Sequence, residues 1–405
     1  MFLHEKKITG EYDMKKIAFV TGSRADYGIM RRYLNLLNND EDINLKILVT
    51  GALLSETYGN QVELIYQDGF DIAAEIKVNL DSSSNRSVLH TMAETLDGFA
   101  EHFSKNKYDL LIILGDRYEM LSVATAAAMH RIPILHIHGG EATYGNYDEF
   151  IRHAITKMSL YHFTATEEYR RRVIQLGEDP NKVFYLGALG AENCMYINEE
   201  NVSELVKKLP QRNYFVVLFH PETLTKLSTL YQINELLSAI SCFKNYNFVF
   251  LGSNADTDSN VIRSTVKKFV EENENTLYFE NLHTNAYHYL LKNSICLIGN
   301  SSSGIIEAPS LDVLTVNIGD RQKGRVRGNS VIDVKCFKED IVKALNKVLN
   351  IHSNQKITNP YYKENTALCY YEKTKTIISN IEKDTLYPKV FFDLIKNDSG
   401  EEYYE

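Results

Sequence analysis

The chain has 405 residues, more than one hydrophobic core usually serves, so two domains are expected. A hydrophobic share of 44%, a charged share of 24% and low counts of Gly (21) and Pro (7) exclude collagen-like and long disordered tracts. Lys+Arg number 44 against 53 Asp+Glu, a net charge of -9 that argues against nucleic acid as a partner but leaves room for a local basic pocket.

The predicted elements alternate. Residues 15–21 (KKIAFVT) form a short apolar run stopped by Gly22, the signature of a buried strand. Helical spacing follows over 26–38, then a strand at 44–51, a helix from about 56, and a strand at 71–78. A longer helix spans 86–104. Strands at 109–115 and 132–138 flank a helix over 117–130, and 161–166 and 182–187 continue the same sheet. A second series begins near 213. It has strands at 214–220, 247–252, 276–280, 294–300 and 313–319. Helices at 228–243, 258–272, 284–292 and from about 304 lie between them. Repeated β-α-β with continuous apolar strands means parallel sheets covered on both faces. The fold class is α/β, as two facing Rossmann-like domains with a cleft between them. The first domain is placed at 14–200 and the second at 201–360, with the crossover in the polar stretch 190–212. A helix predicted over 361–384, after Asn359 and Pro360, is expected to pack back on the first domain. The acidic end, NDSGEEYYE, is expected to fray.

The five cysteines, Cys194, Cys242, Cys296, Cys336 and Cys369, are far apart and form no CxxC, which points to a reducing compartment. The start, MFLHEKKITGEYD, lacks the apolar run of a secretory signal, and no stretch of about 18 apolar residues occurs. A cytoplasmic setting with no membrane contact is expected.

Ligands of open α/β sheets bind at the carboxyl ends of the strands. Five such ends are polar here. At 21–28 (TGSRADYG), Gly22 allows a tight turn, the following helix N-terminus offers free N–H groups to an anion and Arg24 adds a fixed charge; the plainer reading is an ordinary βα turn with Asp26 as N-cap. The pattern is neither GxGxxG nor a P-loop, so dinucleotide binding is not indicated. Asp116 and Arg117 end the strand at 109–115. His136, His138 and Glu141 crowd the next end, followed by Asp148, Glu149, Arg152 and His153 on a helix. His136 and His138, two apart on a strand, share a face. The double glycine, Gly139 and Gly140, lets a ligand approach the backbone. With Glu141 the two histidines could hold a metal, but acid/base use of the same groups explains them without one, and no metal is expected. His220 ends the first strand of the second domain and faces the first across the cleft. Asn300, Ser301, Ser302 and Ser303 open a helix whose N–H and hydroxyl groups suit a diphosphate, and Glu307 could accept both hydroxyls of a ribose. The run 319–327 places four cations at the same mouth. A diphosphate cradle thus faces carboxylates and histidines, the logic of a nucleotide-sugar enzyme.

TGSRADYG (21–28), GDRYE (115–119), HIHGGE (136–141), YDEFIRHAITKMS (147–159), HPET (220–223), GNSSSGIIEAPS (299–310) and NIGDRQKGRVRG (317–328), taken together, resemble the hydrolysing UDP-N-acetylglucosamine 2-epimerases of sialic acid synthesis. The resemblance runs from about 15 to 350. It implies a glycosyltransferase-B-like fold and conversion of UDP-N-acetylglucosamine and water to N-acetylmannosamine and UDP. The route is anti elimination to 2-acetamidoglucal followed by hydration, with no cofactor. It implies Asp116, Asp148 and His220 as catalytic groups. Arg24, Ser301, Ser302 and Ser303 would contact the diphosphate, Glu307 the ribose, and Arg321 the nucleotide or a phosphate. Arg117 and Asn300 complete the expected substrate contacts. Many members carry Glu where this chain has His138, so the acid/base role falls to His138 or Glu141. One extra residue before Arg152 lets the Asp148 role slide to Glu149. Relatives imply a homo-oligomer, dimer or tetramer. Alternatives are the same chemistry on GDP-N-acetylglucosamine or on a UDP-2,4-diacetamido sugar for legionaminic acid, and a glycosyltransferase of the same architecture.

Overall fold

The computed structural model describes residues 14–396 except 57–58, 82, 145–146, 223–224, 253–257, 352–355 and 382–388, together with 402–403. The first sheet has seven strands: β1 (Lys15–Thr21), β2 (Ile43–Thr50), β3 (Ile72–Ile76), β4 (Leu110–Leu114), β5 (Ile134–Ile137), β6 (Tyr161–Thr164) and β7 (Val183–Tyr185). All are parallel, in the order β3-β2-β1-β4-β5-β6-β7. The second has six: β8 (Tyr214–Leu218), β9 (Asn247–Leu251), β10 (Thr276–Phe279), β11 (Cys296–Gly299), β12 (Leu314–Ile318) and β13 (Val331–Val334). They run parallel as β10-β9-β8-β11-β12-β13. Both orders reverse beside the first strand of the sheet, between β1 and β4 and between β8 and β11. Those reversals open a crevice at the strand ends.

Alternate side chains of each central strand enter different cores, which is why the strands read as unbroken apolar runs. Ile17 and Phe19 pack with Met30 and Leu34 of the helix Arg24–Asn38, whereas Ala18 and Val20 pack with Phe99 and Val123 on the opposite face. In the second sheet Phe215 and Val217 enter one core and Tyr214 and Val216 the other. Gly299 is demanded by the strand crossing. Its φ is +143, and a Cβ there would lie 1.9 Å from the Leu218 carbonyl oxygen. The two sheets face each other across a cleft, the glycosyltransferase-B-like arrangement.

Several sequence expectations need correction. No long helix starts at 56. A 3-10 turn covers Gly51–Leu54, a short helix covers Glu63–Gln67, and 57–58 lie outside the described residues. Strand β13 was not predicted because its residues (VIDV) sit half-buried at a sheet edge and carry an aspartate. The helices Glu167–Gln175 and Lys338–Asn350 were also missed, although Ile341, Ala344, Leu345 and Val348 have helical spacing and are buried. The stretch from 190 is not simply a polar crossover, since Leu189–Asn193 is a helix buried along its whole length.

The terminal helix is Thr366–Asn380, and residues 382–384 of its expected range lie outside the described residues. It packs on the first sheet's core through Tyr370, Ile377 and Ile378. Tyr370 donates to the Gly187 carbonyl (2.8 Å), and the Ala367 N–H donates to Glu192 (2.9 Å). The leader 1–13 and most of the acidic end lie outside the described residues. Glu402–Tyr403 pair with Ile395–Lys396. Among the described residues no helix is long and apolar enough to cross a membrane.

Candidate active site

A cavity of about 330 Å³ lies between the sheets. It is lined from one side by Arg24, Asp26, Asp116, Arg117, His138, Glu141 and Arg152. From the other come His220, Ser301, Ser302, Ser303, Glu307 and Arg325. Its size falls within the range of small-molecule sites, and strand ends from both switch points meet there.

The end of β1 is capped by Ser23, whose Oγ accepts from the Asp26 N–H at 3.2 Å. Asp26 is therefore not the cap. It lines the cavity, where burial pushes its carboxyl up against the pull of Arg117. Arg24 lines the cavity with no ion pair to any described residue, and burial pulls its guanidinium down to about 10, still charged at neutral pH.

Asp116 follows β4 and pairs with Arg152, which reaches it from the helix Asp148–Met158. Arg152 is fully buried and also donates to the Glu141 carbonyl (2.7 Å) and to Thr143 Oγ1 (2.9 Å). One guanidinium thus ties the loops after β4 and β5 together. Arg117 lines the cavity and holds buried Glu119 at 3.0 Å.

His136 and His138 do not share a face. Strand β5 ends at Ile137, and His138 adopts a left-handed backbone (φ 68) that turns it out of the strand alternation. His136 lies outside the cavity lining. Its Nε2–H donates to the Gly115 carbonyl (2.8 Å), and Nδ1 meets Thr156 Oγ1 (3.1 Å). Burial pulls it down to about 3, so the ring is neutral. With both ring nitrogens engaged, His136 supports the loop that carries Asp116 and offers nothing to a metal. The double glycine is likewise internal. At Gly140 (φ +79) a Cβ would lie 2.5 Å from the Tyr169 carbonyl oxygen. Among the described residues no cluster of three or more histidines, cysteines or carboxylates has metal-site geometry.

His138 and Glu141 line the cavity together, with Nδ1 and Oε1 2.6 Å apart. Burial alone would push the Glu141 carboxyl up, but Arg325 and His138 outweigh it and hold it below its ordinary value. Asp148 and Glu149 lie outside the lining. Asp148 begins its helix 4.0 Å from Arg321. Glu149 accepts the Thr143 N–H (2.7 Å) and meets His153 (3.3 Å).

In the second unit, His220 is buried and lines the cavity. Asn300 does not line it. Its Oδ1 accepts the His220 N–H (2.7 Å), and its Nδ2 donates to the His220 carbonyl (2.8 Å), clamping the ends of β8 and β11. The serine loop opens into a single turn, Ser303–Ile306, followed by a 3-10 turn, rather than a long helix. All three serines line the cavity, and Ser303 Oγ is already engaged by Glu307 and Tyr287. Glu307 also faces His288 Nε2 at 3.4 Å. Arg321 reaches the Asn300 carbonyl (3.3 Å), and its N–H donates to Glu222 (2.8 Å), outside the lining. Of the four cations expected at the mouth only Arg325 reaches the cavity. Lys323 meets Asp320 at 3.5 Å, and Arg327 pairs with Asp333.

Tyr287, Thr284 and a wall formed by Gly252, Phe279, Glu280, Asn281 and Leu282 also line the cavity, beyond the residues expected from the sequence. Gly252, Glu280, Asn281 and Leu282 follow the ends of β9 and β10, so the strand-end rule applied to those strands would have found them. Arg325 could not have been singled out from Arg321, Lys323 and Arg327 without the fold.

Residues 35–371 match the family described as UDP-N-acetylglucosamine 2-epimerase. The chain is 50% identical over 389 residues to the polysialic acid biosynthesis protein P7 of Escherichia coli, spanning 94% of this chain and 98% of that protein. It is 34% identical over 384 residues to the GDP/UDP-N,N'-diacetylbacillosamine 2-epimerase (hydrolyzing) of Campylobacter jejuni, spanning 94% and 99%. The solved UDP-GlcNAc 2-epimerase from Neisseria meningitidis bound to UDP-GlcNAc shares the fold, with a TM-score of 0.74 at 17% identity, covering 89% of this chain and 100% of that one. With the family match spanning most of the chain, and with relatives similar over nearly their full length, this protein belongs to the UDP-N-acetylglucosamine 2-epimerase family.

Proposed function

We propose that this chain is a hydrolysing 2-epimerase that converts UDP-N-acetylglucosamine and water to N-acetylmannosamine and UDP, serving sialic acid formation. The observation that carries this reading is one cavity in which Ser301, Ser302 and Glu307 of the second unit, with Arg24 of the first, meet Asp116, His138 and Glu141. An anion-binding half and a proton-transfer half meet there. The 50% identity to a polysialic acid biosynthesis protein supports the pathway.

In this reading UDP leaves C1 with the bonding electron pair as a base takes the C2 proton, giving the glycal. Water then adds at C1, and a proton reaches C2 from the opposite face. Arg24 and the serine loop stabilise the charge that grows on the leaving diphosphate. His220, in the same lining, is placed to hydrogen-bond that diphosphate. Glu307 accepts from the ribose hydroxyls. Asp116, backed by Arg152, and the His138–Glu141 pair are the two proton-transfer groups. Closure of the cleft limits bulk water around the glycal.

A second reading keeps the chemistry and changes the sugar to a 2,4-diacetamido one, favoured by the 34% identity to a diacetylbacillosamine 2-epimerase. Proton NMR in heavy water, with no acceptor and no added metal, separates them. UDP and N-acetylmannosamine deuterated at C2 are expected from UDP-N-acetylglucosamine. UDP-N-acetylmannosamine as product, or turnover of the diacetamido sugar alone, would overturn the first reading.

A further inference from the structure

Arg325 lies on the loop after β12, in the second unit, yet the hydrogen-bond and ion-pair partners of its side chain are in the first. It pairs with Glu141, its Nε donates to the Ala142 carbonyl (3.1 Å), and its Nη2 lies 3.5 Å from Thr143 Oγ1. Glu141 in turn meets His138 Nδ1 at 2.6 Å. Both Glu141 and Arg325 are buried side chains, so each depends on the other for its counter-charge.

We propose that Arg325 is a positioning residue that reaches across the cleft to fix Glu141 against His138, making His138 the proton-transfer group and Glu141 its orienting carboxylate. An ionised carboxylate only accepts hydrogen bonds, so His138 Nδ1 carries the hydrogen between them. The neutral ring then presents its Nε2 lone pair, and Nε2 has no hydrogen-bond partner among the described residues although His138 lines the cavity. This is the base-and-orienter arrangement of hydrolytic triads, with the orienter itself held from the other domain. Because Arg325 comes from the second unit and Glu141 from the first, separating the two units would withdraw Arg325 and loosen the pair. Proton transfer is thereby confined to the closed state, where the glycal is shielded. Among the other charged or titratable groups, His136 on β5 acts on His138, Asp116 after β4 and Arg152 on the helix Asp148–Met158 share its cavity lining, and Asp148 acts on Arg325. Of these, His136 is neutral and Arg152 is committed to Asp116.

The inference rests on the hydrolysing reading, and its test separates the two. Steady-state UDP release from UDP-N-acetylglucosamine is measured across pH for the wild type, Arg325→Met, Glu141→Gln and the double variant. An inactive wild type sinks the functional reading itself. With an active wild type, Arg325→Met should lower kcat on the order of 10- to 100-fold. KM should stay within about threefold, since the residue acts on proton transfer rather than on binding. Removing a positive charge from beside the His138–Glu141 pair favours its protonated form, so the acid limb of kcat should move up by about one pH unit. In the Glu141→Gln background Arg325→Met should cost less than about threefold more, because its target is already gone. Equal losses in both backgrounds, or a loss confined to KM and UDP affinity, would overturn the proposal and make Arg325 a diphosphate ligand. Should Arg325→Met melt early, Arg325→Lys, which keeps the charge but not the forked hydrogen bonds, carries the same cycle.

Discussion

Asn300→Ala distinguishes a residue that binds nucleotide from one that builds the site. Its amide makes two buried hydrogen bonds to the His220 backbone, at 2.7 and 2.8 Å, joining the ends of β8 and β11. Truncation leaves a buried N–H and a buried C=O unsatisfied, each costing about 1–3 kcal/mol. A water admitted into the vacated space recovers part of this, so a net loss of about 2–4 kcal/mol is expected. For a unit of this size that lowers Tm by roughly 2–4 °C per kcal/mol. His220 loses its fixed position, and a misplacement of about 1 Å costs on the order of 100-fold in rate. Scanning calorimetry and UDP-release kinetics read both effects. If Tm stays within about 2 °C of the wild type, well under the shift the lost hydrogen bonds imply, while UDP affinity falls and kcat does not, Asn300 is a nucleotide contact and the clamp argument is refuted.

Three further outcomes are expected. Asp116→Asn should lower kcat by about 10²–10⁴ with UDP affinity nearly unchanged, and near-normal turnover would remove Asp116 from proton transfer. Glu307→Gln, which weakens a charged acceptor, should raise the UDP Kd about tenfold, as isothermal titration would measure, and an unchanged Kd would displace the ribose from this residue. His136 binds a proton near 6.5 in the unfolded chain but only near about 3 when folded. Its native state is therefore disfavoured as pH falls from 6.5 toward 3, by about 1.4 kcal/mol per unit, with no effect above 6.5. His136→Phe should flatten the acid side of the stability curve in denaturant titrations. An acid limb as steep as the wild type's would contradict the neutral, doubly bonded ring.

The central strands were legible because each must bury both faces, which leaves an apolar run that no neighbouring loop imitates. The site's location followed from the rule that parallel sheets bind ligands at their carboxyl ends, and the residue types at those ends named the chemistry. The half-buried edge strand β13 escaped notice because an edge needs no continuous apolar run. Roles within the crowded motifs were not legible. His136 and His138 look alike two residues apart, yet one hydrogen-bonds a neighbouring loop and the other lines the cavity, because the strand ends between them and the backbone turns over. Asn300 sits in a diphosphate-like loop but spends its amide on a strand end.

Sequence by itself determined the α/β class, the two sheets and the residue types that meet at the cleft, since local periodicity and turn chemistry are written in consecutive residues. Only the tertiary structure decided which charge answers which. Arg325 meets Glu141 and Arg152 meets Asp116 because long-range packing brings separate loops to one cavity. A buried charge takes its partner from whatever the fold places beside it, and that partner need not be near in the chain.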